Sequence, residues 1–273
     1  MQIKTEIGQR NNVQVFGKGQ RTLMMAHGFG CDQNMWRFLV PEFADDYRLV
    51  LFDYVGSGQS ELQAFSTQRY GSLEGYARDV LDICKDLSLE DITFIGHSVS
   101  GTIGLIASLE APERFLNLVM VCPSPCFLDF PPHYYGGFSR EDLSDLIDLM
   151  DKNYIGWASY LAPLVMGPSS PEKLVGELSG SFCSTDPVVA KAFAEATFFS
   201  DHRHLLPKAL HPVLILQSRN DSLADMTVGQ YMHEHLPDST FRVLDADGHC
   251  THMTHPELVA SAIRGFLSEG AEQ

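Results

Sequence analysis

Short apolar runs alternate with segments of helical periodicity along most of the chain. The apolar runs lie at 22–26, 48–52, 92–95, 118–122, 213–217 and 241–245, and each ends in small or polar residues. Runs of this length and composition are typical of buried strands. The segments with helical spacing include 73–87, 101–110, 227–236 and 254–267. Strands that alternate with helices predict an α/β fold with a mainly parallel sheet that is covered on both faces.

One long segment interrupts this alternation. Between about 127 and 207 the sequence has helical patterns, at 141–150, 171–178 and 187–199, and no convincing strand. The stretch from Ser169 to Glu172 has the pattern of a capping box at the start of the second helix. No linker or change in composition separates this segment from its surroundings. We therefore predict a single domain over 1–273 with a helical insertion at about 127–207 that forms a lid over the strand ends.

The sequence Gly96-His97-Ser98-Val99-Ser100 lies where a predicted strand gives way to a helix. A serine on so sharp a turn exposes its hydroxyl, and the Val99 N–H is then free to bind a developing oxyanion. The pattern is Gly-x-Ser-x-Gly except at its last position, where Ser100 is still small enough for the helix to approach the strand. Such a pentapeptide also occurs in ordinary glycine-rich turns. It indicates a nucleophilic Ser98 only if the partners of a nucleophile lie nearby.

The partners that a serine nucleophile needs follow three other predicted strands. The strand at 22–26 leads into His-Gly-Phe-Gly, where we expect the Phe29 N–H to be the second oxyanion donor. Asp221 and His249 each lie just beyond a later strand. Because the carboxyl ends of parallel strands meet at one edge, we expect Ser98, Asp221 and His249 to converge. Their order along the chain is that of the α/β-hydrolase catalytic triad.

Other interpretations of these polar residues have less support. Asp225 could replace Asp221 as the acid, but it precedes a predicted helix and is better explained as its cap. The glycines at 56 and 58 begin a dinucleotide fingerprint whose third glycine is missing. His249, His252 and His255 recur at every third residue, but they precede a helix rather than lie on one. We therefore expect neither a metal nor a cofactor.

The composition argues against several classes of partner. The chain has 273 residues, of which 44% are hydrophobic, so it can bury a sizeable core. Its formal net charge is -16, which disfavours nucleic acids and anionic membranes as partners. The six cysteines form no zinc-like pairs and are expected to be reduced thiols. Since no apolar run is long enough to span a membrane and no signal-like segment opens the chain, we expect a cytoplasmic protein.

The predicted lid is rich in aromatic residues. A helical lid needs an apolar underside, and the cleft beneath it would then be a hydrophobic pocket. We expect this pocket to be lined by Phe29, His97, Phe127, Trp157 and Phe198. For any one of these aromatic side chains, ordinary packing within the core is the competing explanation.

Several motifs together resemble a known family. They are His-Gly-Phe-Gly-Cys-Asp at 27–32, Phe-Asp-Tyr-Val-Gly-Ser-Gly at 52–58, Gly-His-Ser-Val at 96–99, Pro-Ser-Pro-Cys at 123–126, Tyr-Tyr-Gly-Gly-Phe at 134–138, Asn-Tyr-Ile-Gly-Trp at 153–157, Phe-Cys-Ser-Thr-Asp-Pro at 182–187, Phe-Phe-Ser-Asp-His at 198–202 and Gly-His-Cys at 248–250. The chain resembles the RsbQ-like family of bacterial α/β-hydrolases, which regulate the general stress response. It is also similar to the plant karrikin and strigolactone receptors, whose form of the serine turn is Gly-His-Ser-Val-Ser. The resemblance covers nearly the whole chain, lid included.

This resemblance implies a small hydrophobic ligand and, in the bacterial family, a phosphatase partner with a PAS domain and a PP2C-type catalytic domain. We predict a serine hydrolase that acts on a small hydrophobic ester or lactone in such a signalling role. Two alternatives stay open at this point. One is a sensor of a butenolide-like molecule with little turnover, and the other is a carboxylesterase without a partner protein.

Overall fold

The strands form one seven-stranded sheet within residues 1–269, which are the residues that the computed structural model describes. The strands are β1 Gln14–Phe16, β2 Thr22–Ala26, β3 Arg48–Leu51, β4 Ile92–His97, β5 Phe115–Val121, β6 Val213–Asn220 and β7 Ser239–Asp247. Their order in the sheet is β1-β3-β2-β4-β5-β6-β7. The pair β1 and β3 is antiparallel, and every other neighbouring pair is parallel. The predicted α/β-hydrolase fold with a mainly parallel sheet is confirmed.

Helices cover both faces of this sheet. They are α1 Glu6–Arg10, α2 Val40–Phe43, α3 Thr67–Tyr70, α4 Leu73–Asp86, α5 Val99–Glu110, α6 Arg140–Lys152, α7 Tyr154–Met166, α8 Glu172–Ser184, α9 Pro187–Phe198, α10 Met226–His235, α11 Thr251–Thr254 and α12 Pro256–Glu269. Successive strand residues point to opposite faces, so Leu23 and Met24 of β2 belong to two different core clusters. No helix in residues 1–269 is long and apolar enough to cross a membrane.

The segment between β5 and β6 contains α6 to α9, which form the lid. Of these helices, α7 was not predicted, because its residues are apolar around most of the circumference and show little periodicity. Ile155 and Tyr160 on its outer side are exposed even though they are hydrophobic. Side chains of the lid share one core cluster with the strands beneath them.

The predicted capping box at the start of α8 was wrong. Its two serines bind elsewhere, since Ser169 Oγ donates to Asp247 Oδ2 at 3.0 Å and Ser170 Oγ donates to the carbonyl of Met166 at 2.6 Å. Pro171 occupies the cap position and makes no side-chain hydrogen bond there. The lid therefore uses these hydroxyls to bind the end of β7 and the end of α7.

Candidate active site

Ser98 occupies a strained turn between β4 and α5. Its φ of 56° and ψ of -125° are unusual for a residue other than glycine. The Ser98 N–H donates to the carbonyl of Val121 on the neighbouring strand at 2.8 Å. A side chain on Gly96 would overlap the carbonyl of Ser100, so glycine is needed for this close approach of strand and helix. These contacts hold the strained backbone and direct the Ser98 hydroxyl away from the sheet.

Ser98, His249 and Asp221 form a chain of two hydrogen bonds. His249 Nε2 lies 2.7 Å from Ser98 Oγ, and His249 Nδ1 lies 2.8 Å from Asp221 Oδ2. All three side chains are buried. A carboxylate only accepts, so Nδ1 carries the proton, and Nε2 is free to accept the proton of the serine hydroxyl. This is the arrangement in which an imidazole removes a proton from a serine while a carboxylate holds its orientation.

Asp221 is fixed by groups that sequence analysis did not identify. Its Oδ1 accepts from the N–H groups of Leu223 at 2.9 Å and Ala224 at 3.1 Å. Gln217 Nε2 donates to the carbonyl of Ala224 at 2.6 Å and approaches Asp221 Oδ2 at 3.4 Å. The available signal in the sequence was a glutamine, Gln217, at the end of the otherwise apolar run 213–217; in the structure its side chain is fully buried. Asp225, in contrast, accepts from the N–H of Thr227 and caps α10, as predicted.

His249 is held from above by the lid and from below by β4. Its N–H donates to the carbonyl of Val165 in α7 at 2.7 Å. Its own carbonyl lies 3.0 Å from Nε2 of His97, which must therefore be the donor. A side chain on Gly248 would overlap the carbonyl of Met166, so the loop and the end of α7 are in direct contact. The position of the imidazole thus depends on the position of the lid.

The loop after β2 lies directly against Ser98. A Cβ on Gly28 would lie 2.5 Å from His97 Nδ1 and 3.3 Å from Ser98 Cβ. His27 Nε2 accepts from the Tyr54 N–H at 3.1 Å, so its Nδ1 carries the proton and donates to the Gly28 carbonyl at 2.8 Å. In a trans peptide the N–H points opposite to the carbonyl. The N–H of the next residue is therefore directed away from His27.

The side chain of Ser100 connects this loop to α5. Its Oγ donates to the carbonyl of His27 at 2.5 Å. The hydroxyl of Tyr54 lies 3.0 Å from the same Oγ and is the donor in that second bond. All three residues are fully buried. Sequence analysis treated Ser100 only as a small residue, because its partners are distant in sequence and no local pattern indicates them.

A narrow cavity lies above Ser98 and beneath the lid. It is lined by Phe29, Cys31, His97, Ser98, Phe127, Leu161, Val165, Leu178, Phe182, Thr197, Phe198, Leu223, His249 and Cys250. The space open to the centre of a water molecule is about 20 Å³, which is enough for one water. Four of the five residues predicted to line the pocket do so, namely Phe29, His97, Phe127 and Phe198. In this closed form the lid must move before an organic ligand can bind.

Trp157 lies behind the cavity wall and does not line the cavity. Its ring stacks on Tyr154 at 5.4 Å and lies 5.2 Å from the ring of Phe182, both distances being between centroids. The ring of Phe29 is 6.0 Å away and almost perpendicular. Trp157 therefore supports, from behind, the side chains that face the cavity. The expectation that Trp157 itself lines the pocket differs from the structure.

Three histidine rings and a tryptophan form a buried cluster under the loop at 249–252. His252 lies between His97 at 4.4 Å and Trp36 at 4.6 Å, and neither of its nitrogens has a hydrogen-bond partner within residues 1–269. Burial lowers the pKa of His252 to about 3 and also holds the pKa of His97 well below its usual value. The rings of His252 and His97 are therefore neutral at physiological pH.

One group of possible metal ligands coincides with the hydrogen-bonded chain. The donor atoms of Cys122, Asp221 and His249 lie within 4.8 Å of one another. Asp221 and His249 are already bonded to each other, and burial raises the pKa of the Cys122 thiol, which opposes the thiolate that a metal requires. His252 and His255 do not belong to this group. The chemistry of these donors fits proton transfer better than metal binding.

Comparisons with known proteins agree with this fold. The profile of the alpha/beta hydrolase fold matches residues 21–256. Karrikin insensitive 2 receptor CA of Petunia hybrida is 39% identical over 254 residues, which cover 93% of this chain and 94% of that protein. Strigolactone esterase D14 of Arabidopsis thaliana is 35% identical over 257 residues, with coverages of 94% and 96%. A solved hydrolase from Oleispira antarctica is 56% identical and superimposes with a TM-score of 0.95 over 96% of both chains.

These similarities extend over the lid as well as the sheet, because each covers more than nine tenths of the chain. The predicted resemblance to the karrikin and strigolactone receptors is confirmed, and relatives with esterase and hydrolase names occur beside the receptors. With the family profile matched from β2 to the start of α12, the chain belongs to the α/β-hydrolase family.

Proposed function

We propose that this protein hydrolyses a small hydrophobic ester or lactone by the serine-hydrolase mechanism. The observation that carries the proposal is the chain of hydrogen bonds from Ser98 Oγ through His249 to Asp221, at 2.7 and 2.8 Å, within a closed cavity. A second support is the family, in which relatives are named as esterases. The three residues follow strands β4, β6 and β7 at one edge of the sheet.

In this mechanism Ser98 Oγ attacks the substrate carbonyl while His249 Nε2 accepts the hydroxyl proton. The N–H groups of Phe29 and Val99 stabilise the oxyanion, and Asp221 stabilises the imidazolium. When the carbonyl re-forms, the bond to the alcohol oxygen breaks, and that oxygen receives the proton from His249. A water molecule then attacks the acyl-serine and gives a proton to His249. The bond between the acyl carbon and Ser98 Oγ breaks, His249 returns the proton to Oγ, and the acid is released. No cofactor takes part in these steps.

The two oxyanion donors are supported by the backbone around them. Val99 begins α5, so no earlier turn of the helix can accept from its N–H. The hydrogen bond from His27 to the Gly28 carbonyl turns the Phe29 N–H to the opposite side, and Gly28 itself lies against Ser98. Both donors therefore come from rigid backbone rather than from mobile side chains, which favours electrostatic stabilisation of the transition state.

The lining of the cavity favours an apolar substrate of limited size. Phenylalanine and leucine side chains make up most of the lid surface that faces Ser98. Among the residues that the structure describes, no lysine or arginine lines the cavity to bind an anionic substrate. A neutral ester or lactone fits this environment, and closure of the lid excludes bulk water during the reaction.

Replacement of the nucleophile tests this function. Ser98→Ala should lower the hydrolysis of 4-nitrophenyl butanoate by about 10⁴-fold to 10⁶-fold, as in other triads. Ser108→Ala is a matched control, because Ser108 is a buried serine of α5, the helix that follows Ser98, and its Oγ binds only the Leu105 carbonyl within residues 1–269, at 2.9 Å. The control should retain most of the activity. If the Ser98→Ala protein kept more than about a tenth of the wild-type rate, Ser98 would not be the nucleophile.

A second candidate is a ligand sensor with slow turnover that acts as an RsbQ-like regulator of a PP2C-type phosphatase. It is favoured by the bond from the His249 N–H to Val165 in the lid, since a ligand that moves α7 also changes the surface of the protein. A sensor should show turnover well below the roughly 1 per second found at the slow end of ordinary enzymes, together with a ligand-dependent shift in melting temperature. It should also bind a PAS-containing PP2C-type phosphatase in the presence of ligand. Rapid turnover without phosphatase binding would refute the sensor and leave the esterase as the only one of the two candidate functions.

A further inference from the structure

Thr197 is a buried polar residue in the apolar surface of the lid. It belongs to α9, precedes Phe198, and lines the cavity above Ser98. The residue is 3% exposed, and its Oγ1 has no hydrogen-bond partner within residues 1–269. A threonine inside a helix usually donates to a carbonyl of the preceding turn, but this hydroxyl does not. Its hydrogen-bonding capacity is therefore unused in the closed structure.

Packing alone does not explain a threonine at this position. A buried hydroxyl without a partner destabilises a protein, whereas valine has nearly the same shape and no such requirement. The cavity admits about one water molecule, and that water or an atom of a ligand is the partner available to Thr197. The hydroxyl is thus better explained by what the cavity binds than by the folding of the lid.

The polar groups of the cavity wall are divided between two places. Ser98, His97 and His249 lie on the floor, together with the thiols of Cys31 and Cys250. The lid contributes only apolar residues besides Thr197, namely Phe127, Leu161, Val165, Leu178, Phe182 and Phe198. A ligand whose carbonyl binds at the floor therefore meets a second hydrogen-bonding group on the α9 side.

We propose that Thr197 is a specificity-determining residue that binds a second oxygen of the substrate, beyond the ester or lactone carbonyl. This inference rests on the proposed function and narrows its substrate class. The substrate carries an ether, ring, carbonyl or hydroxyl oxygen in the part that lies beneath α9. Simple alkyl esters occupy the same site once the lid has moved, but they leave the Thr197 hydroxyl without a partner.

Matched pairs of esters and the shape-conserving variant Thr197→Val test the inference. One pair differs in the acyl part, 4-nitrophenyl pentanoate and 4-nitrophenyl 3-methoxypropanoate, and the other differs in the alcohol part, butyl acetate and 2-methoxyethyl acetate. In each pair an ether oxygen replaces one methylene. Thr197→Val should lower kcat/KM for the ether member of at least one pair by about threefold to tenfold, the effect of one hydrogen bond. The all-carbon members should change by less than about twofold, since they make no such bond.

Thr197→Ser retains the hydroxyl and should retain the preference for the ether ester. If Thr197→Val changed both members of both pairs by the same factor, or changed none of them, the inference would be wrong.

A second measurement does not depend on catalysis. Thr102→Val is the matched stability control, because Thr102 is also a buried helical threonine but donates to the Ser124 carbonyl at 2.9 Å. Thr102→Val should lower the melting temperature, whereas Thr197→Val should leave it unchanged or raise it. An equal drop in both variants would show that Thr197 has a structural partner and would overturn the inference.

Failure of the proposed function can be distinguished from failure of the inference about Thr197. If the wild-type protein hydrolysed none of the four esters, hydrolysis would be refuted, and binding would then decide the role of Thr197. Methyl 3-methoxypropanoate should stabilise the wild-type protein against heat more than methyl pentanoate does, and Thr197→Val should abolish that difference. Equal stabilisation of the wild-type protein by both esters would refute the role of Thr197 independently of catalysis.

Discussion

The hydrogen bonds of Ser100 predict a measurable link between the serine turn and the loop that carries Phe29. Ser100→Ala removes the donor to the His27 carbonyl and leaves the buried Tyr54 hydroxyl without its acceptor. The lost hydrogen bond contributes about 0.5–1.5 kcal/mol, and an unpaired buried hydroxyl costs about 1–3 kcal/mol. We therefore expect the free energy of unfolding to fall by roughly 2–4 kcal/mol.

The same substitution should lower the rate of hydrolysis. Without Ser100 Oγ, the loop from His27 to Gly30 loses its connection to α5, and the Phe29 N–H is held less rigidly. A single oxyanion donor contributes about 10²–10³ in kcat, so partial loss of its alignment should reduce kcat by about 10-fold to 100-fold. KM should change less, because the residues that line the cavity stay in place.

A double-mutant cycle with Tyr54→Phe measures the interaction between the Tyr54 and Ser100 hydroxyls directly. In the wild-type background Tyr54→Phe removes one hydrogen bond and should destabilise the protein by about 1 kcal/mol. In the Ser100→Ala background it removes an unpaired hydroxyl and should stabilise the protein. Urea unfolding measures both values, and initial rates on 4-nitrophenyl butanoate give kcat. An equal destabilisation by Tyr54→Phe in both backgrounds, or a fully active and stable Ser100→Ala protein, would refute this reasoning.

Two further predictions follow from the buried rings. Trp157→Ala should destabilise the protein by about 3–5 kcal/mol, because Trp157 packs behind Phe29 and Phe182. The variant should lower kcat/KM for small and bulky esters by one common factor. A selective loss for bulky esters would instead place Trp157 in the site. Acid should destabilise the protein through its buried neutral histidines. The pKa of His252 is about 3 in the folded protein and near 6.5 in the unfolded chain. The contribution of neutral His252 to the free energy of unfolding is therefore fully present above pH 6.5 and is lost as the pH falls towards 3. Urea unfolding at pH 5 and pH 7 should show this loss, and His252 should account for about 2 kcal/mol of the difference between the two pH values, because the unfolded imidazole is only partly protonated near pH 6.5. His252→Leu should remove that part of the pH dependence, and an unchanged dependence in the variant would refute the assignment.

The sequence predicts the sheet well because each core strand is a short apolar run with a clear end. Strands β2 to β6 are buried almost throughout, and such strands leave an unmistakable hydrophobic pattern. Helix α7 lacks such a pattern, since it is apolar on its exposed side as well as on its buried side. The serines at 169 and 170 show a second limit, because a capping motif forms only if its hydroxyls have no better partner in the tertiary structure.

The residue types at the strand ends were enough to indicate that Ser98, Asp221 and His249 meet. The contacts that support these three side chains could not be predicted from the sequence. Ser100 and His27 are 73 positions apart, and His249 and Val165 are on different layers of the fold. The aromatic residues of the lid show the same difficulty. Phe198 of α9 lines the cavity and Trp157 of α7 does not, because the rotation of each helix against the sheet decides which side chains face inward, and the composition of a helix does not determine that rotation.

A hydrogen bond joins the lid directly to the candidate triad. Val165 accepts the N–H of His249 and lines the cavity at the same time, so a ligand that presses on α7 acts on the residue that positions the imidazole. The closed cavity holds about one water, and a substrate must therefore displace the lid before it binds. In the proposed mechanism, attack by Ser98 then requires the lid to return, because the bond to Val165 restores the position of His249 and closure removes bulk water from the oxyanion. Hydrolysis and ligand sensing would thus use the same movement of α7 and differ in whether the acyl-serine is released quickly or slowly.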